Sequence, residues 1–464
     1  MLVKPILIKN IFEKDNNNML SLKDIECIVN GWVRNTRDQK DIKFISINDG
    51  SSVLSLQLVL QGDTLHQIFK NIYIGTSIKA TGKIVLSPAE GQKYEMIVDK
   101  IEIYGECNPK DYPFSKNRVP MDKIRQYSHL RTRTNLMGCI FRIKSMISHL
   151  THRFFEEEDY LHLDPNVITI NECEGGAGVF QVTEKDISNL KNLKYKDGKY
   201  DWKEDHFDNP VYLTVSSQLQ LEAVSLGLGA VYTTNKSFRS EHSMTNKHLS
   251  EFTHLEIENC FIDLDYLMDI AERYIKYVGK GLLEKRKEEL EELNKFVSKG
   301  LIDKINKLIN SEFKRVKYRD CEILLKDFGF KFGDDLSSEM ENYLTEHFDA
   351  PVFVIDWDRN VKSFYMKDNN DGTCNCFDLL MPYKVGELIG GSMREDSYEK
   401  LMERIEEKNI DKNPLEFYLD LRRFGSVPHG GFGLGLDRMT MLFTGMENIK
   451  DVVVFPVSYK NCKY

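Results

Sequence analysis

The most informative stretch of the chain lies near its middle, at residues 238–252, and reads FRSEHSMTNKHLSEF. It predicts a strand, a loop and a returning strand that carry a cation, Arg239, a carboxylate, Glu241, and an aromatic ring, Phe252. A guanidinium can bind a phosphate through two parallel hydrogen bonds, and a phenyl face can stack on a purine. A sheet holds such groups more firmly than a loop does. The stretch therefore predicts a nucleotide-binding site.

A glycine-rich motif lies far downstream, at residues 431–438, and reads GFGLGLDR. Its glycines allow the close approach of a backbone, and it ends in a second arginine, Arg438. It is not the dinucleotide-binding fingerprint, because Leu436 stands where the last glycine of that fingerprint should be. Two arginines so far apart in sequence suggest one triphosphate that is bound at both ends.

A third segment, residues 151–169, predicts an amphipathic helix, a turn and a strand that begins near Pro165. Each segment has a plainer interpretation, since an isolated FRxE is usually a solvated strand end and a glycine run is usually a turn. Together, however, residues 151–169, 238–252 and 431–438 resemble motifs 1, 2 and 3 of the class II aminoacyl-tRNA synthetases, in the same order along the chain. The resemblance implies an α+β catalytic domain, with an antiparallel sheet flanked by helices, and a homodimer that is joined through motif 1.

The length and composition agree with an enzyme of two or more domains. The chain has 464 residues, a formal net charge of -9 and nine cysteines, none of them in a CxxC pair. This charge argues against a basic coat over the whole protein, so any RNA site must be a restricted patch. The sequence has no signal for zinc, disulfides, targeting or a membrane span. We therefore expect a cytoplasmic protein that binds neither DNA nor membranes.

The first part of the chain, residues 1–107, is predicted to be a small β-barrel of the OB type. Five strand-like runs are separated by turns, at residues 25–33, 43–48, 55–60, 76–86 and 94–104. The first hairpin mixes basic and aromatic residues, and we predict that Arg34, Arg37 and Phe44 contact the anticodon of a tRNA. Phe44 is either a stacking ring or barrel core, whereas Trp32 is predicted to be core.

The remainder is divided into a hinge and a catalytic domain. Residues 108–134 contain prolines, among them Pro113 and Pro120, and a run of basic side chains, which predict an interdomain hinge. Residues 135–464 are predicted to be the catalytic domain. Within it, the segment at about residues 280–317 has Glu and Lys at helical offsets, so we expect solvated helices in an insertion that takes no part in the chemistry.

An OB domain before a class II core resembles subclass IIb, whose members use aspartate, asparagine or lysine. Several runs resemble the asparaginyl-tRNA synthetases, namely residues 29–34, 130–135, 213–219, 390–395 and 427–435. The aspartyl enzymes have a lysine where this chain has Leu221. The implied activity is the activation of L-asparagine with ATP and its transfer to tRNA(Asn). The alternatives are an aspartyl-tRNA synthetase, discriminating or not, and a synthetase-like asparagine synthetase.

The resemblance also implies which residues bind ATP and magnesium. Arg239 and Arg438 are the implied catalytic residues; Arg239 binds the α-phosphate, and Arg438 covers the adenine and reaches the γ-phosphate. The adenine stacks on Phe252. Asp378 and Glu387 would supply oxygens to Mg²⁺, which prefers carboxylates, phosphate and water, although they also have a plainer interpretation as exposed carboxylates near a turn. The other ATP-binding residues are Glu241, His248, Gly433 and Gly435.

The amino-acid site is implied in the same way. Glu174 lies in a glycine-rich loop that closes over the substrate ammonium in the family, and Ser216 and Gln218 bind the groups on the α-carbon. Arg394 donates to the side-chain carbonyl oxygen, while Glu256 accepts from the side-chain NH₂. A carboxylate at Glu256 repels aspartate, so this pair would select asparagine.

Two positions depart from the family pattern. Lys247 stands where an arginine is usual, and Asp437 stands where a glutamate is usual. Both substitutions keep the charge, so the activity is not put in doubt. Lys247 cannot form the two parallel hydrogen bonds of an arginine, however, and we expect its contact with ATP or tRNA to be weaker.

Overall fold

The computed structural model describes residues 5–13, 26–115, 119–171, 178–189, 191 and 193–464. The chain divides into two compact units, Met1–Cys139 and Ile140–Tyr464. Among the described residues, no helix is both long enough and apolar enough to cross a membrane.

The first unit contains a closed five-stranded barrel. Its strands are β1 (Glu26–Asp38), β2 (Lys43–Asn48), β3 (Leu56–Leu60), β4 (Ser77–Leu86) and β5 (Tyr94–Gly105). They follow one another around the barrel in the order β1, β2, β3, β5, β4. Its helices are α1 (Ile8–Glu13), α2 (Asp63–Phe69), α3 (Met121–Gln126) and the first residues of α4 (Asn135–Glu157). The five strands predicted from the sequence are therefore confirmed.

Trp32 corrects one prediction about this barrel. The side chains of Cys27, Val29 and Val33 on β1 are buried in the core, so alternate positions of the strand face inward. Trp32 lies on the other face and is 37% exposed, and the guanidinium carbon of Arg133 lies 5.7 Å from the centre of its ring. The prediction that Trp32 is core was wrong, because the period of two, and not the size of a ring, determines which side chains of a strand are buried.

The second unit is built on an eight-stranded sheet. Its strands in spatial order are β14 (Lys314–Lys317), β15 (Val352–Asp358), β16 (Thr373–Met381), β17 (Gly386–Met393), β18 (His429–Gly435), β13 (Glu251–Cys260), β12 (Ala230–Phe238) and β6 (Leu161–His162). The six inner strands are antiparallel, as the sequence predicted. The two outer pairs, β14 with β15 and β6 with β12, are parallel, so the sheet as a whole is mixed.

Short strands and helices surround this sheet. A three-stranded sheet contains β7 (Ile168–Thr169), β11 (Val211–Leu213) and β8 (Gln181–Val182), and a small hairpin contains β9 (Tyr195–Lys196) and β10 (Lys199–Tyr200). The helices are α5 (Gln218–Leu228), α6 (Leu264–Lys285), α7 (Lys287–Phe296), α8 (Leu301–Asn310), α9 (Tyr318–Leu324), α10 (Ser338–Phe348), α11 (Tyr398–Glu407), α12 (Glu416–Arg423) and α13 (Leu436–Thr444).

The charged segment at residues 280–317 comprises the end of α6, then α7, α8 and β14. The prediction that the helices of this segment are solvated holds only for the face of each helix that is exposed to solvent. Leu301, Ile305 and Leu308 of α8 are buried, and their helical spacing places them on one apolar face. Val316 of β14 is also buried, within the main sheet. The segment is therefore part of the core of the second unit.

Candidate active site

A cavity of about 260 Å³ lies where the loop at residues 239–250 meets β17 and β18. All eight residues that were predicted to bind ATP line this cavity, namely Arg239, Glu241, His248, Phe252, Glu387, Gly433, Gly435 and Arg438. The structure thus brings together residues that are up to 199 positions apart in the sequence, as the span from Arg239 to Arg438 shows. Their role in binding a nucleotide stays a prediction.

The hairpin of β12 and β13 positions the cation and the ring. Arg239 follows the last residue of β12, and its backbone N–H donates to the carbonyl oxygen of Ser250 at 3.0 Å, which closes the base of the loop. The guanidinium carbon of Arg239 lies 5.6 Å from the centre of the Phe252 ring. A cationic group and an aromatic ring therefore line the cavity next to each other, where they can contact a phosphate and a base.

The backbone of β18 forms the floor of the site, and two of its positions require glycine. A Cβ atom at Gly433 would lie 2.6 Å from Nε2 of His254, and one at Gly431 would lie 1.9 Å from the carbonyl oxygen of Ile257. A side chain at Gly431 would push β18 away from the backbone of β13, whereas one at Gly433 would displace the His254 ring. Gly435 has more room, since its Cβ would meet only Arg438, at 3.9 Å.

Arg438 and Asp437 follow β18 at the start of α13. Nη1 of Arg438 donates to the carbonyl oxygen of Glu387 at 2.9 Å, which ties the arginine to β17. Asp437 is buried, accepts from the backbone N–H of Thr253 at 3.1 Å and pairs with Lys144. The aspartate that departs from the family pattern therefore links α13 to β13 and α4.

The residues that were predicted to bind the amino acid, Ser216, Gln218 and Glu256, meet at the start of α5. Glu256 is 3% exposed and accepts a short hydrogen bond from the hydroxyl of Ser216. The backbone N–H of Ser217 donates to both of its carboxylate oxygens, each at 3.0 Å. Gln218 donates through Nε2 to Glu222 at 2.9 Å. Helix α5 thus begins directly against the Glu256 carboxylate.

Arg394 directly follows β17 and is buried, and its guanidinium forms an ion pair with Glu258. Nε of Arg394 donates to one carboxylate oxygen of Glu258 at 3.2 Å, and Nη2 forms a short ion pair with the other. Nη1 donates to the hydroxyl of Ser392 at 2.6 Å. Glu256 and Glu258 are two residues apart on β13, so they face the same side of the sheet. The sequence-based prediction included Glu256 and missed Glu258.

A second buried charge network, also missed, lies behind Arg394. The carboxylate of Glu222 accepts from Arg422 at 2.9 Å and from the hydroxyl of Tyr418 at 2.7 Å, and it lies 3.2 Å from Nε2 of His429. Burial alone would raise the pKa of Glu222, but Arg422, His429 and Arg394 outweigh it and lower this pKa. Glu222 is therefore held as an anion in the interior.

The pKa of Glu258 shifts in the opposite direction to that of Glu222. Burial raises the pKa of Glu258, with the nearby charge of Glu222 acting in the same direction and Arg394 acting against both. Glu222 and Glu258 compete for one guanidinium, since Nε of Arg394 is 3.8 Å from Glu222 as well. The predicted amino-acid site is thus bordered by more carboxylates than arginines.

The two carboxylates predicted to hold magnesium converge over β17. A Cβ atom at Gly390 would lie 3.3 Å from Oε1 of Glu387 and 3.7 Å from Oδ1 of Asp378. Lys362 pairs with Asp378 at 2.6 Å, and its ammonium lies 3.9 Å from the centre of the Trp357 ring. Burial raises the pKa of Asp378 to about 6, although Lys362 opposes this shift. Asp378 is therefore not the exposed carboxylate of the plainer interpretation.

These carboxylates fit Mg²⁺ only when other ligands join them. In the part of the chain that the structure describes, no three His, Cys, Asp or Glu side chains are arranged to hold a metal ion. Mg²⁺ commonly binds through one or two carboxylates together with substrate phosphates and water. Glu387 lines the nucleotide cavity, so the pair fits an ion that arrives with a nucleotide.

Two family models match different parts of this chain. A family model described as tRNA synthetases class II (D, K and N) matches residues 120–459, and one described as an OB-fold nucleic acid binding domain matches residues 27–104. The asparagine–tRNA ligases of Microcystis aeruginosa and Clostridium botulinum are 40% and 39% identical to this chain over 444 and 461 residues. The alignments cover 93% and 97% of this chain, and 95% and 97% of those relatives. The chain belongs to the asparagine–tRNA ligases.

Solved structures of asparaginyl-tRNA synthetases support the same family assignment. The asparaginyl-tRNA synthetase of Pyrococcus horikoshii, complexed with asparaginyl-adenylate, has a TM-score of 0.85 with this chain at 30% identity, over 99% of both chains. That of Entamoeba histolytica, in complex with the same adenylate, has a TM-score of 0.81 at 25% identity, over 96% of this chain and 97% of the other. An aspartyl-tRNA synthetase of Entamoeba histolytica is only 20% identical and shares the fold. The aspartyl alternative is not favoured.

The barrel carries the residues that were predicted to contact an anticodon in this family. Arg37 of β1 is paired directly across the hairpin with Phe44 of β2, and its guanidinium carbon lies 4.5 Å from the centre of the Phe44 ring. Phe44 is half-buried and Arg37 is exposed, so one face of the ring is covered by the arginine. Arg34 is half-buried on the same strand. The anticodon contact itself stays a prediction.

Two further predictions of the family resemblance concern motif 1 and Glu174. The motif 1 segment places exposed apolar side chains on β6, β7 and the residues after them, since Leu161 and Ile170 are each 50% exposed and Ile168 is 38% exposed. Strand β7 is an edge strand of its small sheet. Glu174 lies outside the described residues.

Proposed function

We propose that this chain activates L-asparagine with ATP to form asparaginyl-adenylate and then transfers the asparaginyl group to the 3′ end of tRNA(Asn). One observation supports this proposal above the others. Phe252 of the nucleotide cavity and Glu256 of the amino-acid site stand on the same face of β13, four residues apart. A nucleotide and an amino acid bound at these positions would meet between them, where Arg239 borders the cavity.

Activation needs charge stabilisation more than acid–base chemistry. The carboxylate of asparagine is already a nucleophile at neutral pH, and it attacks the α-phosphorus in line with the departing pyrophosphate. Arg239 would stabilise the charge that develops on the α-phosphate, and Arg438 would bind the far end of the triphosphate. Asp378 and Glu387 would hold Mg²⁺, which neutralises phosphate charge when it is bound.

Selection of asparagine would follow from the buried charges. Glu256 can accept a hydrogen bond from the side-chain NH₂, and Arg394 can donate to the carbonyl oxygen. With aspartate in the site, its carboxylate would join that of Glu256 and come close to those of Glu222 and Glu258, which already share the guanidinium of Arg394. Like charges in a desolvated site repel strongly, so aspartate would be rejected.

The experiment that tests this function is ATP–pyrophosphate exchange with asparagine, aspartate or lysine as the amino acid. We expect exchange with asparagine and a rate with aspartate that is lower by at least about 100-fold, because a buried site that matches an amide leaves a carboxylate unpaired. Equal rates with asparagine and aspartate would overturn the proposed selectivity. Exchange with neither would overturn the proposed reaction.

Transfer to tRNA adds two parts to the proposal. The ribose hydroxyl at the 3′ end of the tRNA attacks the adenylate, and the barrel binds the anticodon through Arg34, Arg37 and Phe44. We also infer that the protein works as a homodimer, and in the cytoplasm, where its tRNA is used. The exposed apolar residues around the edge strand β7 support the dimer, since such a surface is commonly covered by a partner.

Replacement of Phe44 by alanine tests the anticodon contact. We expect the Michaelis constant for tRNA to rise roughly tenfold to a hundredfold, because stacking of a base on an aromatic ring contributes about 1–3 kcal/mol. Exchange measured without tRNA should not change. Phe12→Ala, which removes a half-buried ring that packs against the barrel core, is the control for a purely structural effect. Loss of both activities in Phe44→Ala would mean that the ring is core.

The dimer is tested by sedimentation of the wild type and of Ile168→Glu. The wild type should sediment as a dimer, and the charged residue at an edge strand should shift it to the monomer with loss of exchange activity. Ile323→Glu, at a position on α9 that is 79% exposed, is the matched control and should remain dimeric. A wild type that is monomeric and fully active at its working concentration would contradict the prediction.

A further inference from the structure

A second cavity adjoins the nucleotide pocket, and none of the roles described above uses it. Its volume is about 290 Å³. Lys247, in the loop between β12 and β13, lines both cavities, so the second cavity is next to the nucleotide cavity. The apolar lining of the second cavity comes from α8, the turn between β16 and β17, and α13, through Leu301, Ile305, Leu308, Val385, Met441 and Leu442.

Three lysines line this cavity, Lys247, Lys304 and Lys384. Among the residues that the structure describes, none of the three has a carboxylate oxygen within ion-pair distance, whereas Lys307 on the same helix as Lys304 is paired with Asp349. Glu447 is the one acid among the described lining residues, and it is exposed. The cavity therefore has an excess of positive charge.

Glu341 is the other acid that bears on this charge. It acts electrostatically on Lys247 without forming an ion pair with it. A Cβ atom at Gly386 would meet Oε2 of Glu341 and would lie 3.1 Å from Nζ of Lys247, so both side chains approach the start of β17. Among the described residues, no ion pair joins Glu341 to Lys304 or Lys384, so the charges of these two lysines remain uncompensated.

Neutral groups hold Lys304 in place. Its ammonium donates to the hydroxyl of Ser298 at 3.3 Å and lies 5.2 Å from the centre of the Tyr383 ring. A hydroxyl and an aromatic face fix the position of a cation without cancelling its charge. The ammonium is thus already ordered, and its charge remains for an anion that enters the cavity.

The turn that carries Tyr383 and Lys384 is strained. Both residues have a φ of 65°, in the left-handed region where Gly, Asn and Asp are favoured. A hairpin turn of this kind usually has Asn-Gly at its two central positions. Strain of this sort is commonly retained where the side chains are needed for function. Here the turn places a lysine at the cavity and an aromatic ring under Lys304.

We propose that this cavity takes up the pyrophosphate that leaves ATP when the adenylate forms. The inference rests on the proposed function, in which a carboxylate oxygen of asparagine bonds to the α-phosphorus. The bond from that phosphorus to the bridging oxygen breaks, and the oxygen leaves with its electron pair as part of pyrophosphate. The product is a compact, highly charged anion. Lys247 stands at the boundary of the two cavities, and Lys304 and Lys384 lie beyond it.

Substitution of single lysines tests the proposal in the exchange assay. For Lys304→Met and for Lys384→Met we expect the Michaelis constant for pyrophosphate to rise roughly threefold to tenfold, because each loses one charge-assisted contact with phosphate. The constants for ATP and asparagine should stay within about twofold. Lys307→Met is the matched control, since Lys307 is on α8 but does not line the cavity, and it should leave all three constants unchanged.

A binding measurement separates this inference from the proposed function. Titration calorimetry of the full chain with inorganic pyrophosphate, without ATP or asparagine, should show binding that Lys304→Met and Lys384→Met weaken by the same factor. This readout needs no catalysis, so it stands even if wild-type exchange with asparagine fails. Unchanged pyrophosphate affinity in both variants would overturn the inference. So would an equal rise in the constants for ATP and pyrophosphate, or a rise confined to tRNA, which would assign the cavity to RNA.

Discussion

Replacement of Arg239 by alanine should lower the rate of ATP–pyrophosphate exchange by roughly 100-fold to 1,000-fold, the range found when a single preorganised donor to a developing charge is removed. The reason lies in the position of this arginine. It follows the last residue of β12, borders the nucleotide cavity and stands beside the Phe252 ring. Its guanidinium is expected to stabilise charge that grows only in the transition state, so kcat should fall more than the affinity for ATP. Steady-state exchange at saturating asparagine measures both.

Two controls make this result specific. Arg239→Lys keeps the positive charge but not the two parallel hydrogen bonds, and it should give an intermediate rate. Binding of tRNA, measured by filter retention, should be nearly unchanged in Arg239→Ala, since the predicted anticodon contacts are in the unit of residues 1–139. Exchange at close to the wild-type rate in Arg239→Ala would show that another group binds the α-phosphate.

The second large effect concerns stability. Arg422→Met should lower the free energy of unfolding of the second unit by about 3–5 kcal/mol, the cost of leaving a buried charge without its partner. The side chains of Arg422 and Glu222 both have no exposed surface, and Tyr418 and His429 contact the same carboxylate. Methionine fills much of the volume, so the loss reports the charge and not a cavity. Urea unfolding followed by tyrosine and tryptophan fluorescence measures it.

The neighbouring arginine provides the matched control. Arg423 is also on α12 and pairs with Glu416 and Asp420, but these contacts are at the surface, where water screens them. Arg423→Met should therefore leave the stability nearly unchanged. Similar losses in the two variants would mean that the helix α12, and not the Glu222 network, responds to the substitution.

The sequence was informative where a local pattern determines the structure. The five barrel strands were predicted correctly because turns separate short apolar runs, and most of the residues that were predicted to bind ATP line one cavity because they belong to two of the three ordered motifs. Glu258 could have been found as well, since it follows Glu256 by two residues on a strand and must share its face. Trp32 was misplaced because its size was given more weight than the alternation along β1.

The buried charge network around Glu222 could not be predicted from the sequence. Glu222 is 200 residues from Arg422 and 207 from His429, and no periodicity links positions so far apart. Whether a charged side chain is buried depends on which elements pack over it, and that is settled by tertiary structure. The apolar face of α8 was overlooked for a related reason. The segment at residues 280–317 was interpreted from its many Glu and Lys residues, although Leu301, Ile305 and Leu308 of α8 have the spacing of a buried face.

Strand β13 has a consequence for the length of the substrate. It is hydrogen-bonded to β12 on one side and β18 on the other, so it cannot slide. Phe252 and Glu256 are therefore held about 13 Å apart along the strand, at roughly 3.3 Å per residue. The backbone of β13 therefore fixes the distance between the groups that would bind the adenine end and the amide end of an adenylate. Glutamine has the same amide on a chain that is one methylene longer, and we expect it to be excluded by this distance, with no side chain dedicated to its rejection.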